Sequence, residues 1–183
     1  MSLPDKKQKA IFEYYSENGF NHSTEEIVQE LDICHKTFFN RYGSKANSIN
    51  IAWKYWQTVC LAKWSALMEH CNHSVEELAM TLFSIEQTQN TEPHYYNYTR
   101  ESRKYLEQDS FFYKALNTIL EKGKQCLHIH THLDLDLYIA FLLNNIFLIN
   151  TEQDKKSDVL RYILHPALTE RGMELYNELP TPL

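Results

Sequence analysis

Glycine and proline are scarce in this chain, four and five among 183 residues. That shortage excludes collagen-like repeats, low-complexity linkers and loop-dense β architectures. Cysteine is also sparse: Cys34, Cys60, Cys71 and Cys126 are widely spaced and form no CxxC pair. The N-terminal MSLPDKKQKA has no apolar h-region, so the expectation is reduced thiols in a cytoplasmic protein. No run is long and apolar enough to span a bilayer. The best, Leu137 to Ile149, contains Asn144 and Asn145 and extends over only about 13 residues. A basic excess is missing too. Eighteen Lys and Arg face 24 Asp and Glu, a net charge of −6, which by itself counts against a generic nucleic-acid coat.

What is present is apolar residue at helical spacing. Hydrophobic residues make up 43% and aromatics 13%, enough for a packed core and too much for disorder. No segment alternates with the period of a strand. Asp5 to Asn18 reads as a helix stopped by Gly19, and Ser23 with Glu26 forms a capping box ahead of Ile27 and Leu31. A break at Asp32-Ile33-Cys34 precedes a second short helix, His35 to Arg41, and Gly43-Ser44 breaks the chain again. From Lys45, the stripe Ile49, Ala52, Trp53, Trp56, Cys60, Trp64, Leu67 and Cys71 predicts a long amphipathic helix. Further helices are expected from Ser74 (as cap, with Glu77), after Asn90-Thr91-Glu92-Pro93, from Asp109-Ser110 to about His128, over Leu133 to Ile149, and over Asp154 to Leu179. The last should bend or break near Pro166. The expected fold is all-α with about nine helices: a helix-turn-helix domain over residues 1–46 and a helical bundle over 47–183.

Two short helices, a tight turn between them and a long helix after them form the helix-turn-helix layout. Ile27, Leu31, Ile33, Phe38 and Tyr42 are spaced to share one small core. The opposite side of the second helix then carries His35, Lys36, Thr37, Asn40 and Arg41, residue types that read base edges or hold phosphates. Ser23, Thr24 and Lys45 fall at helix N-termini, where backbone N–H groups and the helix dipole favour a phosphate.

Residues 10–49 resemble the DNA-binding domain of the TetR family. The likeness is carried by Tyr15, Gly19-Phe20, Thr24-Glu25-Glu26-Ile27, Ile33, Thr37-Phe38-Phe39-Asn40-Arg41-Tyr42 and Gly43-Ser44-Lys45. The resemblance implies that Thr37 and Phe39 face DNA and that Lys45 holds a phosphate. The chain departs from the family at Asp32 (usually Gly), Cys34 (usually Ser), Phe39 (commonly Tyr) and Lys7 (usually apolar). The turn survives, because Asp tolerates a left-handed conformation. The recognition helix loses a good cap.

The family likeness further implies a homodimer that binds a pseudo-palindromic double-stranded operator, with a small-molecule effector held among the helices after the fourth. Trp53, Trp56, Trp64, Phe83, Tyr95, Tyr98 and Phe112 are the candidate pocket residues. A helix apolar all round must be buried all round, so Leu133 to Ile149 also points to a partner copy. The interface candidates are Leu137, Phe141, Asn145, Leu148, Leu160, Ile163 and Leu164. The expected function is a transcriptional regulator, a repressor, and not an enzyme, with no cofactor or metal.

A competing expectation is a non-catalytic or metal-binding helical protein using His128, His130 and His132. Spacing at i, i+2 and i+4 does not put three ligands on one helical face, although His128 and His132 could pair. His70, Cys71 and His73 form a similar but irregular group. Charge also divides along the chain. Residues 1–45 hold six Lys and Arg against seven Asp and Glu, and the remainder twelve against seventeen. The reading head is therefore near neutral, and few phosphate contacts with a shallow salt dependence are expected.

Overall fold

A computed structural model describes residues 6–148 and 156–179, with the side chains of 147, 148, 156–158 and 160 outside that description. Asp5, Ile149 and Asp154, expected at helix ends, lie outside the described residues.

α1 (Lys6–Asn18) ends where Gly19 takes a left-handed φ of 73° and its N–H bonds back to the Tyr15 carbonyl. α2 (Thr24–Glu30) begins with the complete capping box: Ser23 Oγ accepts from Glu26 N, and the Glu26 carboxylate accepts from Ser23 N. Asp32 carries the turn at φ 49°, and α3 (His35–Tyr42) follows. Gly43 reverses the chain at φ 77° into the 24-residue α4 (Lys45–Met68), capped by Ser44.

Ile11, Tyr15, Ile27, Phe38, Tyr42 and Ala52 are buried together, which joins the first three helices to the start of α4. Two hydroxyls fix the register. Tyr42 donates to the Lys7 carbonyl at 3.0 Å, and Tyr15 meets Ser48 Oγ at 2.8 Å. Since Ser48 donates its own proton to the Lys45 carbonyl, Tyr15 is the donor. Burial pushes the Tyr15 pKa up to about 12, so it keeps that proton.

The remaining helices form the bundle: α5 (Ser74–Thr91), α6 (Pro93–Ser102), α7 (Phe111–Gln125), α8 (Leu135–Leu148), α9 (Lys156–Leu164) and α10 (Glu170–Asn177). Ten helices are thus described where about nine were expected. The extra one arises because the helix expected over Asp154 to Leu179 is two, separated by a tight 3-10 turn at His165–Ala167 that contains Pro166. The cap of α5 also differs. His73, not Ser74, is its N-cap, accepting from Glu76 N through Nδ1, while Ser74 is buried against His128 at 2.8 Å.

Bonds between His130 N and the Ala167 carbonyl, and between Thr169 N and the His128 carbonyl, fasten the α7–α8 loop to the start of α10. One continuous apolar cluster runs from Ile11 through Trp56, Tyr95 and Phe112 to Leu168. The boundary expected at residue 46 falls inside α4, which serves both halves.

Candidate functional site

α3 separates its residues cleanly. Phe38 and Tyr42 point into the core, while His35, Lys36, Asn40 and Arg41 are exposed and Phe39 is 50% exposed. This face therefore sets an aromatic ring beside two cations and an amide. Among the described residues, Lys36, Arg41 and Lys45 form no ion pair. Thr37 is half-buried, its hydroxyl hydrogen-bonded to Cys34 Sγ at 3.2 Å, and Cys34 as N-cap makes no side-chain capping bond to the helix backbone. The hydrogen bond with the Thr37 hydroxyl is the main cause that holds the Cys34 thiol below its ordinary pKa.

Ser23 is exposed and Thr24 half-buried at the start of α2, but the Glu26 carboxylate already occupies that helix end. Ser23 keeps Glu26 ionised through hydrogen bonds, with a smaller contribution from the Lys45 charge. Lys45 therefore lies within electrostatic reach of α2 as well as at the head of α4.

In the bundle, the expected pocket residues divide into two groups. Trp53 donates to Thr99 Oγ1 at 2.9 Å and lies under the Lys104 ammonium, 4.5 Å from the ring centre. Trp56 stacks on Tyr95 at 5.4 Å, Tyr95 donates to the Phe12 carbonyl at 2.9 Å, and Tyr98 rests on Phe20 at 4.6 Å. Of these four, Tyr95 reaches α1 through Phe12, and Tyr98 meets Phe20 just beyond its end. Phe83 is half-buried and lines neither cavity described below.

Trp64 and Phe112 do reach open space. They border a cavity of about 170 Å³ between α4, α5 and the head of α7. A larger groove of about 400 Å³ lies on the other side of the Trp64–Phe111 pair, whose ring centres are 5.9 Å apart. Cys60, Thr81, Ser84 and Thr88 also line the cavity and were missed. A signal for them was present: Thr81, Ser84, Thr88 and Thr91 recur at helical spacing, a hydroxyl stripe on an otherwise apolar face of α5.

No family model matches the chain, and no curated protein matches it. Solved structures do. KstR2 of Mycobacterium tuberculosis, described as a ketosteroid transcriptional regulator, superposes with a TM-score of 0.60 at 14% identity over 92% of this chain and 98% of that one. HlyIIR, described as a hemolysin II transcriptional regulator, gives 0.59 at 14% identity over 90% and 96%. The fold is TetR-like.

On the TetR-like scaffold, α8 turns Tyr138, Ile139, Leu142 and Leu143 into its own core. Leu137 remains 72% exposed and Phe141 40% exposed, and from α9 Tyr162 is 80% exposed. Asn145 is half-buried and donates to the Phe141 carbonyl. Ile163 and Leu164, expected at a subunit interface, are instead buried within the chain, where Tyr138 donates to the Ile163 carbonyl at 2.7 Å. They are unavailable to a partner, whereas Tyr162 of the same helix is exposed. The side chains of Leu148 and Leu160 lie outside the described residues.

The histidine run does not converge on one point. His128 is buried, bonded to Ser74 and edge-on to His73 at 6.2 Å, whereas His130 and His132 pair with each other at 5.1 Å. Burial, and then the charges of Arg171, His73 and Lys122, lower the His128 pKa. Among the described residues, no group of three or more His, Cys, Asp or Glu is placed to hold a metal ion, and no helix is long and apolar enough to cross a membrane.

Proposed function

We propose that this protein is a homodimeric DNA-binding transcriptional regulator, a repressor acting in the cytoplasm, whose operator affinity is set by a small molecule bound in the bundle. The observation that carries this reading is the outer face of α3. His35, Lys36, Asn40 and Arg41 project from a short helix held by Phe38 and Tyr42, at the size and polarity that enter a major groove. Lys45, and with smaller reach Ser23 and Thr24, would lie at the flanking phosphates. Thr37 and Phe39 would meet sugar or thymine methyl groups. Regulators of similar fold, described as acting in transcription, support the same reading.

Leu137, Phe141 and Tyr162 supply an apolar surface for a second copy. Two-fold pairing would place two α3 helices about 34–36 Å apart, one turn of DNA. Ligand control is supported by the packing between cavity and reading head. Phe112 touches Trp56 at 5.6 Å, Trp56 stacks on Tyr95 at 5.4 Å, and Tyr95 contacts Phe12 at 5.3 Å and Phe20 at 5.2 Å. A ligand that binds one arrangement of this column better than another shifts the spacing of the α3 helices.

Mobility shift against DNA upstream of its own gene, followed by selection from random sequence, tests the proposal. A pseudo-palindromic site is expected. Lys36→Ala and Lys45→Ala should weaken binding to all sequences and flatten its salt slope, whereas Asn40→Ala should relax base preference. Absence of salt-sensitive binding to any fragment refutes it.

A further inference from the structure

Asn40 stands on the side of α3 that faces directly away from the core. At about 100° per residue, buried Phe38 and Tyr42 mark the inner line of the helix, and Asn40, midway between them, lies opposite. Lys36 shares that outer line one turn earlier, and Phe39 and Arg41 flank it. The Asn40 amide is also unused. Asn18, Asn47 and Asn145 each donate from Nδ2 to a backbone carbonyl four or five residues back, at 3.0, 2.7 and 2.8 Å. Among the described residues, Asn40 makes no such bond. Thr37, the other short polar residue in the middle of α3, is half-buried with its hydroxyl bonded to Cys34 Sγ.

The chemistry of an amide narrows what it takes. Its carbonyl oxygen accepts and its NH₂ donates, matching the N6 donor and N7 acceptor that adenine presents together in the major groove. Guanine shows two acceptors there, cytosine a donor alone and a phosphate only acceptors, so each uses half of the amide. Lys36 and Arg41 have no acceptor for the adenine N6 donor, so neither replaces Asn40 in this pairing. Phe39, beside Asn40, carries no polar atom. Its ring is 50% exposed and held edge-on to buried Phe38 at 5.7 Å and 86°, and its open side suits the methyl group of thymine.

We propose that Asn40 is the specificity-determining residue of the reading head, pairing through both amide atoms with one adenine in each half-site, and that Phe39 covers a thymine methyl beside it. Any other base at the first position leaves an amide atom dehydrated and unpaired, which is the basis of the discrimination. The inference rests on the regulator reading, which supplies the DNA, and adds which base each of the two residues takes.

Selection from random sequence with the intact protein gives the half-site. Each adenine of one half-site is then replaced in turn by 7-deazaadenine, which lacks the N7 acceptor, and each thymine by uracil, which lacks the methyl group. The wild type should lose about tenfold in affinity at one adenine and about threefold to fivefold at one thymine. Asn40→Ala should bind the natural and 7-deazaadenine sites equally while keeping its response to uracil. Phe39→Ala should show the reverse. Both side chains are exposed, and circular dichroism establishes that each variant is folded. A selected half-site without adenine, no loss with 7-deazaadenine, or a loss that persists in Asn40→Ala overturns the assignment of Asn40. No loss with uracil, or one that persists in Phe39→Ala, overturns that of Phe39. A protein that selects no DNA overturns the regulator reading as well, whereas specific binding indifferent to Asn40 and Phe39 overturns this inference alone.

Discussion

Gly172 shows how one missing methyl group positions a helix. A Cβ there would lie 2.1 Å from the His128 carbonyl oxygen, which is backbone and cannot move aside cheaply. Gly172→Ala should therefore cost about 2 kcal/mol or more through overpacking, read as a lower midpoint in urea. The neighbouring His128 predicts a pH dependence. Its folded pKa is lowered by burial first and then by Arg171, His73 and Lys122. The unfolded chain, with an ordinary value of about 6.5, takes up the proton first, so this contribution is complete above about pH 6.5 and is lost as pH falls from there toward the folded value. Lys122, one of those charges, is itself paired with Glu77 on the facing helix. Urea unfolding at about pH 7.5 and about pH 5.5 should show the wild type losing more stability than His128→Asn on acidification. An equal loss in both proteins would place the sensitivity elsewhere. The buried role of His128 was not legible, because its partner Ser74 lies 54 residues away in sequence.

Among the elements, α3 is the one whose weakness can be read from a single letter. Cys34 stands where Ser, Thr, Asp or Asn would bond the free N–H groups, and it makes no such bond. Cys34→Ser should stabilise the protein by about 0.5–1 kcal/mol in chemical denaturation. Ser23→Ala, which removes half of a complete capping box, should lower stability by about 1 kcal/mol. The two caps were legible because capping is local: the bonds run three residues along the chain. The cap of α5 was misread for the opposite reason. His73 and Ser74 are both followed three residues later by glutamate, and only the pull of His128 on Ser74 decides between them. The hydroxyl stripe of α5 was visible as spacing, but its meaning depends on the wall that α4 and α7 place opposite it.

For the whole molecule, the exposed apolar surface of α8 and α9 is the feature that needs an account. Leu137→Glu together with Tyr162→Glu places two charges there without touching the chain's core. The expected outcome is a halved mass in sedimentation with unchanged helix content. Unchanged sedimentation, or a wild type already monomeric, refutes the paired assembly. Ile163→Ala provides the contrast. Because Ile163 is buried within the chain, that change should cost about 2–5 kcal/mol of stability and act on folding before assembly. The unpaired cations of α3 belong to this scale as well, since their use depends on two copies set at the right distance.

Sequence alone determined the helical class, the positions of most helices and the identity of the α3 outer face. These depend on periodicity, capping and turn residues acting over a few positions, where chemistry along the chain is enough. Tertiary structure decided which side of α8 is core, that Ile163 and Leu164 face inward, and that Trp56 stacks on Tyr95. It also decided which aromatics, Trp64 and Phe112, border open space. Those outcomes depend on what stands opposite each side chain. The opposing residues come from distant parts of the chain, so periodicity identifies an apolar face without naming what covers it.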